Sequence, residues 1–522
     1  MNSQDLLKFC AEKGFLLDKE VLSLFGETKD VESLKLIIER VRSFTQKKII
    51  TKNVLFENKD KMIQFMSDLP SESQKNLESI KIKLGLSIEI SQEISSQKNI
   101  DIQNNPKINF LDDVKILTNS KFENRKLEVE DFTKHFKERF TDLKNILQDH
   151  SDLNNLISIN KISGTRQNIS IIGMVYSKQV TKNKNIILEV EDLTGKTKVL
   201  ISASNKELYS KAEEILMDVV LGFSGSGSRE MVFAKNIVFP EAMIHERKKS
   251  PVEEYALFIG DLHFGSKKFL KEGFLKFVDY LSGKVPNTPE VEKIKYLFLV
   301  GDIVTGVGNY PNQERDLEIN DLEEQYSKLA EMLGKIRRDI KIIISPGNHD
   351  GVRLMEPQPA LDERYAWPLY NLKNVYLTEN PSNVNIGSKN NFEGFNVLTY
   401  HGFSFPHYAN NVPNLMMKKA MNCPEEIIKY LLKNRHLAPT HSSTQYYPLE
   451  KDGLLIKDSP DIIVSGHTHK SAVTYYNNIL IVSVSCWESL TPYQEKFGNL
   501  PDHCKVPMFN LKTREIKILD FE

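Results

Sequence analysis

Apolar residues change their spacing along this chain, and each change predicts a different kind of structure. Leu6, Leu7, Phe9 and Cys10, then Val21, Leu22, Leu24 and Phe25, then Val31, Leu34, Ile37, Ile38 and Val41 recur at helical spacing. They predict a small helical module over residues 1–45. A unit that short buries little surface alone, so it reads as a docking module. Residues 46–128 read as a flexible polar linker. Its stretch from Ser91 to Pro106 has no sustained apolar period and too little to bury to offset chain entropy. A helix near 73–84 is the one element expected inside the linker.

Residues 129–245 read as a barrel domain with a leading helix. Phe132, Phe136, Phe140, Leu143 and Leu147 repeat every three or four residues and predict an amphipathic helix over 129–148. Short strands follow at Ile169–Tyr176, Asn185–Asp192 and Lys196–Ile201, with Leu193-Thr-Gly195 as a hairpin turn. A helix at about 205–217 precedes two more strands, Val219–Ser224 and Val232–Phe239. A helix between the third and fourth of five strands is the order of an OB-fold barrel.

Beyond the charged linker Glu246–Pro251 the strands become short and wholly apolar, and the last domain is expected over 251–522. Tyr255–Ile259 runs into Gly260-Asp261, and Tyr296–Val300 into Gly301-Asp302. Ile342–Ser345 runs into Pro346-Gly-Asn-His-Asp350, Val397–Tyr400 into His401-Gly402, and Ile462–Ser465 into Gly466-His-Thr-His469. Buried strands alternating with amphipathic helices predict an α/β sheet, with functional groups at the C-terminal strand ends. The fold class is therefore α/β overall, in several domains.

Composition bounds this picture more than it adds to it. Across 522 residues the formal net charge is −1, so any surface for nucleic acid must be local. Cys10, Cys423, Cys486 and Cys504 are scattered, which excludes a zinc ribbon and disfavours a disulfide framework. No apolar run reaches the roughly 18–20 residues that span a bilayer, and the start lacks a secretory pattern. A cytoplasmic protein without membrane contact is expected.

The strand-end motifs carry the chemistry. Asp261, His263, Asp302, Asn348, His401, His467 and His469 are carboxylate, imidazole and amide donors without a thiolate, a set that suits Mn, Fe, Mg or Zn. Glycines beside them are expected to permit tight turns. Asp302 is the natural bridge between two metals, which would sit roughly 3.5–4 Å apart and act on a phosphate ester. A lone His-x-His or Gly-Asp is common in ordinary turns; five such pieces in order, each ending an apolar strand, are not.

Over about 255–485 this arrangement resembles the calcineurin-like metallophosphoesterase superfamily, a β-sandwich flanked by helices. The resemblance implies one metal on Asp261, His263, Asp302 and His469, and a second on Asp302, Asn348, His401 and His467. It makes His349 a catalytic group and not a ligand, one that protonates the leaving oxygen or stabilises its charge. Asp350 is expected to orient His349 by accepting a hydrogen bond. Further flanks narrow the resemblance: the loop Gly301–Gln313, Leu431–Thr440, Trp487–Gln494 and Pro507–Thr513, behind an OB-fold and a helical module. From about residue 130 onward the chain is similar to the small subunits of archaeal family-D DNA polymerases.

That family implies a two-metal 3′→5′ exonuclease that proofreads DNA, most simply with Mn2+, for a large polymerase subunit on a separate chain. It also implies contact with single-stranded or mismatched 3′ ends, and with a sliding clamp and primase through the complex. DNA synthesis would need the large subunit. The alternatives are a non-catalytic scaffold or a free-standing phosphodiesterase. Lys267, Lys268, Arg315 and Arg353 are candidate phosphate contacts, and Tyr310, Phe403, Phe405 and His407 candidate stacking groups. His436, His441 and His503 read as structural.

Overall fold

The computed structural model describes residues 114–120, 122, 125–389 and 391–522, with short stretches at 9–10, 13, 16–18, 21 and 49–50. The chain divides into two compact units, Met1–Ile108 and Asn109–Glu522. In the first, Leu16–Leu17 pairs in parallel with Ile49–Ile50. Most of the helical module expected over 1–45, and the helix expected near 73–84, lie outside the described residues.

The second unit begins with strand β1 (Val114–Ile116) and helix α1 (Val129–Leu147). Then come β2 (Gln167–Val180), β3 (Ile186–Asp192), β4 (Gly195–Ile201), α2 (Lys206–Glu213), β5 (Val220–Ser228) and β6 (Met231–Val238). These five strands close in the order β2-β3-β4-β6-β5. Leu208 and Ala212 of α2 join the apolar barrel core, so the helix between the third and fourth strands plugs the barrel. Strand order and helix position match the sequence expectation.

The remainder is a sandwich of two six-stranded sheets. Its first strands are β7 (Tyr255–Ile259), β8 (Ile294–Val300) and β9 (Lys341–Ser345), with α3 (Lys271–Leu281) and α4 (Leu322–Leu333) between them. After α5 (Glu363–Tyr370) come β10 (Val375–Leu377), β11 (Ser382–Ile386) and β12 (Phe395–Thr399). Helices α6 (Phe405–Asn411), α7 (Pro413–Met417) and α8 (Pro424–Asn434) lead to β13 (Ile462–Ser465), β14 (Ala472–Tyr476) and β15 (Ile479–Ser483). The chain ends with α9 (Pro492–Phe497), β16 (Lys505–Asn510) and β17 (Ile516–Asp520).

One sheet runs β10-β9-β8-β7-β16-β17 and the other β14-β15-β13-β12-β11-β1. Ala256, Phe258, Phe298 and Val300 of the first meet Val384, Val397, Val464 and Val482 of the second in a dry inner core. Helices α3 and α4 cover the outer face of the first sheet, and α6 and α8 that of the second. Burial on both faces is why these strands read as continuous apolar runs.

Three features depart from expectation, the first being the Leu16–Leu17 and Ile49–Ile50 pairing, which puts strands inside the expected helical module and the expected linker. The linker does not run to residue 128, because β1 pairs antiparallel with β11, Val114 opposite Ile386. One buried valine and three residues of pairing leave too short a pattern to read. Helix α1 also buries His135 and Arg139, an i,i+4 polar pair beside its apolar stripe. Arg139 Nε donates to Asp452 Oδ2 at 2.7 Å and Nη1 to the Pro439 carbonyl at 2.9 Å. This buried ion pair fastens the leading helix to the sandwich. No described helix is long and apolar enough to cross a membrane.

Candidate metal centre

Every predicted ligand sits just past the C-terminal end of a buried parallel strand. Asp261 and His263 follow β7, Asp302 follows β8, Asn348 follows β9, His401 follows β12, and His467 and His469 follow β13. The two sheets bring these ends together. Asp261, His263 and His469 form one donor group and Asp302, His401 and His467 another, the donor atoms of each within 4.8 Å of one another.

Asp302 lies between the groups. Its Oδ1 accepts the His349 peptide N–H at 2.7 Å. That leaves Oδ2 facing His401 Nε2 at 3.2 Å and His263 Nε2 at 3.9 Å. On one side, the Asn348 amide oxygen is 3.0 Å from His401 Nε2 and 3.1 Å from His467 Nδ1. On the other, His469 Nε2 is 3.1 Å from His263 Nε2 and 3.6 Å from Asp261 Oδ1. The Asp261 carboxylate is held in place by the His467 peptide N–H, at 3.0 and 3.1 Å.

The glycines earn their places mostly by size. A Cβ on Gly347 would lie 2.3 Å from Asp302 Oδ1, and one on Gly466 2.6 Å from Asp261 Oδ2. A Cβ on Gly301, which also holds φ +74°, would strike the His401 ring at 2.1 Å. Gly301 and Gly402, at φ +74° and +113°, make the tight turns expected of glycine beside Asp302 and His401, and the candidate ligands Asp261, His263, Asp302, His467 and His469 themselves also hold positive φ.

The donor chemistry tests whether divalent cations fit. Burial, reinforced by His349, pushes His263 down to about 3, and burial with His401 pushes His467 down to about 3. Both rings are therefore neutral, with lone pairs free to bind. Burial alone would raise Asp302, but His401 and His349 hold it well below the usual carboxylate range. Burial alone would lower His401, yet Asp302, Asp261 and Asp350 lift it to about 10. Burial, with the Asp302 charge, raises Asp261 well up. The upward shifts of His401 and Asp261 both mark negative charge gathered in a dry site, which is the charge that cations would neutralise. The residues fit a pair of divalent ions.

His349 joins this cluster, a ring nitrogen lying within 4.8 Å of donor atoms of His263 and Asp302. Its Nδ1 lies 3.0 Å from the Thr305 carbonyl and 3.2 Å from Asn309 Nδ2; donation to the carbonyl, the closer partner, puts the proton on Nδ1 and leaves Nε2 for other work. Asn309 Nδ2 donates to the same carbonyl at 3.0 Å and to the His349 carbonyl at 3.3 Å. The expectation that Asp350 orients this ring is corrected. The Asp350 carboxylate instead accepts the peptide N–H groups of Val304, at 2.9 Å, and Gly347, at 2.7 Å. It ties the loop after β8 to the loop after β9, and burial with the Asp302 charge raises it to about 7.

Sequence reading missed Thr305, Asn309 and Gln494. Gln494 Nε2 lies 2.7 Å from His469 Nδ1. Only the long Gly-containing loop after Asp302 hinted at the first two, and nothing local marks the third.

Most flanking candidates are engaged elsewhere. Lys267 donates to the Arg315 carbonyl at 2.7 Å, and Lys268 to the Leu490 carbonyl. The Arg353 guanidinium lies over Tyr447 at 3.7 Å and Phe122 at 4.4 Å, so it packs rather than waits for phosphate. The Arg315 side chain is exposed. Phe405 is fully buried, whereas Phe403 sets its ring edge-on to His467 at 5.8 Å. Tyr310 bonds Asp316, and His407 lies edge-on to Tyr408. His436 is structural as expected, Nε2 bonding Asp452 at 2.8 Å and Nδ1 accepting from the Ala438 N–H at 3.0 Å.

Residues 256–471 match the calcineurin-like phosphoesterase family. The chain is 35% identical over 403 residues to the DNA polymerase II small subunit of Pyrococcus furiosus, covering 75% of this chain and 64% of that one. It therefore spans slightly under two thirds of that relative's length. It is 35% identical over 398 residues to the DNA polymerase II small subunit of Methanothermobacter thermautotrophicus, covering 76% of this chain and 80% of that one. The Archaeoglobus fulgidus DNA polymerase II small subunit is 36% identical over 379 residues, covering 72% and 73%.

Proposed function

Because this chain belongs to the family of archaeal DNA polymerase II small subunits and carries a calcineurin-like phosphoesterase domain, we propose that it is a 3′→5′ exonuclease hydrolysing DNA phosphodiester bonds. It proofreads for a large polymerase subunit on a separate chain, and synthesis needs that subunit. The observation that carries the hydrolytic reading is Asp302 Oδ2, poised between imidazoles of both donor groups.

Asp261, His263, Asp302 and His469 would hold one divalent ion, and Asp302, Asn348, His401 and His467 the other. Manganese is the first choice, with magnesium, iron or zinc as alternatives. When bound, two such ions supply an activated water and neutralise charge on the phosphodiester in its transition state. His349 supplies the proton. Its Nδ1–H is fixed on Thr305, so the imidazolium form delivers a proton from Nε2 to the departing 3′ oxygen of the shortened strand. Asp350 acts one step back, by holding the two loops that present Asp302 and His349.

We read the five-stranded barrel as an OB-fold within a domain over 129–245, and 251–522 as the exonuclease domain. The ligands of the whole assembly are a single-stranded or mismatched 3′ end and the large subunit, with a sliding clamp and primase reached through the complex. The test uses the chain alone and with its large subunit, manganese, and a 5′-labelled primer with or without a 3′ mismatch. A ladder of shortened products supports the reading. Strong hydrolysis of small phosphodiesters with intact DNA would overturn it in favour of a free-standing phosphodiesterase.

A further inference from the structure

Away from the metal centre, the barrel carries a groove of about 450 Å3 lined by Arg166, Lys198, Gly227, Ser228, Glu230, Met231 and Phe233. Phe233 is 43% exposed. The Arg166 guanidinium lies over its ring at 5.3 Å. That guanidinium is itself fixed, with Nη2 and Nε donating to Ser226 Oγ at 3.0 and 3.4 Å. Lys198 stands on the neighbouring strand, just before the registered pairs Val199–Val232 and Leu200–Phe233. It makes no ion pair among the described residues.

The groove floor is kept low by close backbone packing. A Cβ on Gly225 would meet the Phe233 carbonyl at 2.1 Å, and one on Gly227 the Met231 carbonyl at 2.3 Å. Serines and glycines are therefore what β5 offers along Ser224–Ser228. Among the described residues no hydrogen bond joins the lining residues to the sandwich.

An exposed ring with a fixed guanidinium on it, a free ammonium beside it and a shallow backbone floor is the chemistry that stacks a base and holds its phosphate. We infer that this groove binds single-stranded DNA. Among the lining residues charge favours an anionic occupant, with Arg166 and Lys198 against Glu230; Glu189, registered opposite Lys198 on the next strand, is outside the lining. The exposed ring favours unpaired bases over duplex, whose rings are already stacked. The inference rests on the barrel and on family membership, and not on the exonuclease reading.

The experiment measures binding of a fluorescein-labelled oligo-dT to the full chain in EDTA, by anisotropy, so that metal-dependent cleavage plays no part. Phe233→Ala and Lys198→Glu are each expected to weaken binding about tenfold, the scale of losing one stacked base or one phosphate contact. Glu230→Gln should bind as tightly or more tightly. A duplex of equal length should compete at least about tenfold less well. Melting temperature and manganese-dependent hydrolysis of a small phosphodiester should be unchanged in all three variants, Lys198→Glu being the surface change that keeps the test valid if Phe233→Ala misfolds. Affinity within twofold of the parent in both Phe233→Ala and Lys198→Glu, or equal binding of duplex, would overturn the inference. Loss of phosphodiester hydrolysis in the unmodified chain would count against the metal centre and leave the groove untouched.

Discussion

Asp261, His263, Asp302, His467 and His469 hold φ between +47° and +69°, a region that residues with a Cβ enter only at a cost. Five such residues in one site mean that the sandwich forces them there and that their side chains matter more than their backbone comfort. The strain gives a prediction. In the metal-free protein, His467→Gly should be more stable than His467→Ala by about 1 kcal/mol, because only glycine relaxes a left-handed turn. Thermal melts in EDTA check this, and equal melts would deny the strain. Gly347→Ala should be severe, since its Cβ would press on Asp302. It is expected to lose bound metal, as read by elemental analysis. Asp350→Asn replaces an acceptor of two peptide N–H groups with a group that accepts through one oxygen only. It should cost roughly 1–3 kcal/mol of stability, rather than slow turnover in a fully stable protein. The seven candidate ligands and His349 were legible because each lies in a short local motif. The true partners of His349 and Asp350 were not, because they are backbone groups and the Asn309 side chain, brought near by the crossing of separate loops.

At the scale of elements, the strands were legible wherever burial on both faces wrote an apolar run, as in β7, β8 and β13. Strand β1 was hidden because its partner, β11, lies far along the chain and fixes only three residue pairs. The polar face of α1 was hidden for the same reason, since Arg139 and Asp452 are 313 residues apart. That joint should be pH-sensitive. Burial, with Arg139 nearby, pushes His436 down to about 4 in the folded protein. Unfolding restores it to about 6.5, so the unfolded chain binds more protons between those values. Stability from this group is full above about 6.5 and is lost as pH falls toward 4, by at most on the order of 3 kcal/mol. Melting temperature followed from pH 7.5 to 4.5 should fall less steeply in His436→Gln than in the parent. Arg139→Met, which takes from the buried Asp452 its permanently charged partner and leaves it only His436 and His135, is expected to cost about 3–5 kcal/mol.

For the whole molecule, the sandwich serves as a frame that aims five strand ends at one point, and the barrel adds a separate surface. Cation uptake should couple to protons across that frame. His401, raised to about 10 by its carboxylate neighbours, must give up its proton to bind a metal. Affinity should therefore climb with pH through the neutral range, and calorimetry in buffers of different ionisation enthalpy should record proton release. No release would mean that His401 does not bind metal. The most direct test of the central claim compares the parent chain with His349→Ala for bound manganese and for shortening of a 5′-labelled primer. Two metals are expected in both proteins, with a product ladder in the parent that falls at least about a hundredfold in the variant. A parent holding fewer than two metals, or a variant that shortens DNA as fast as the parent, would contradict that claim.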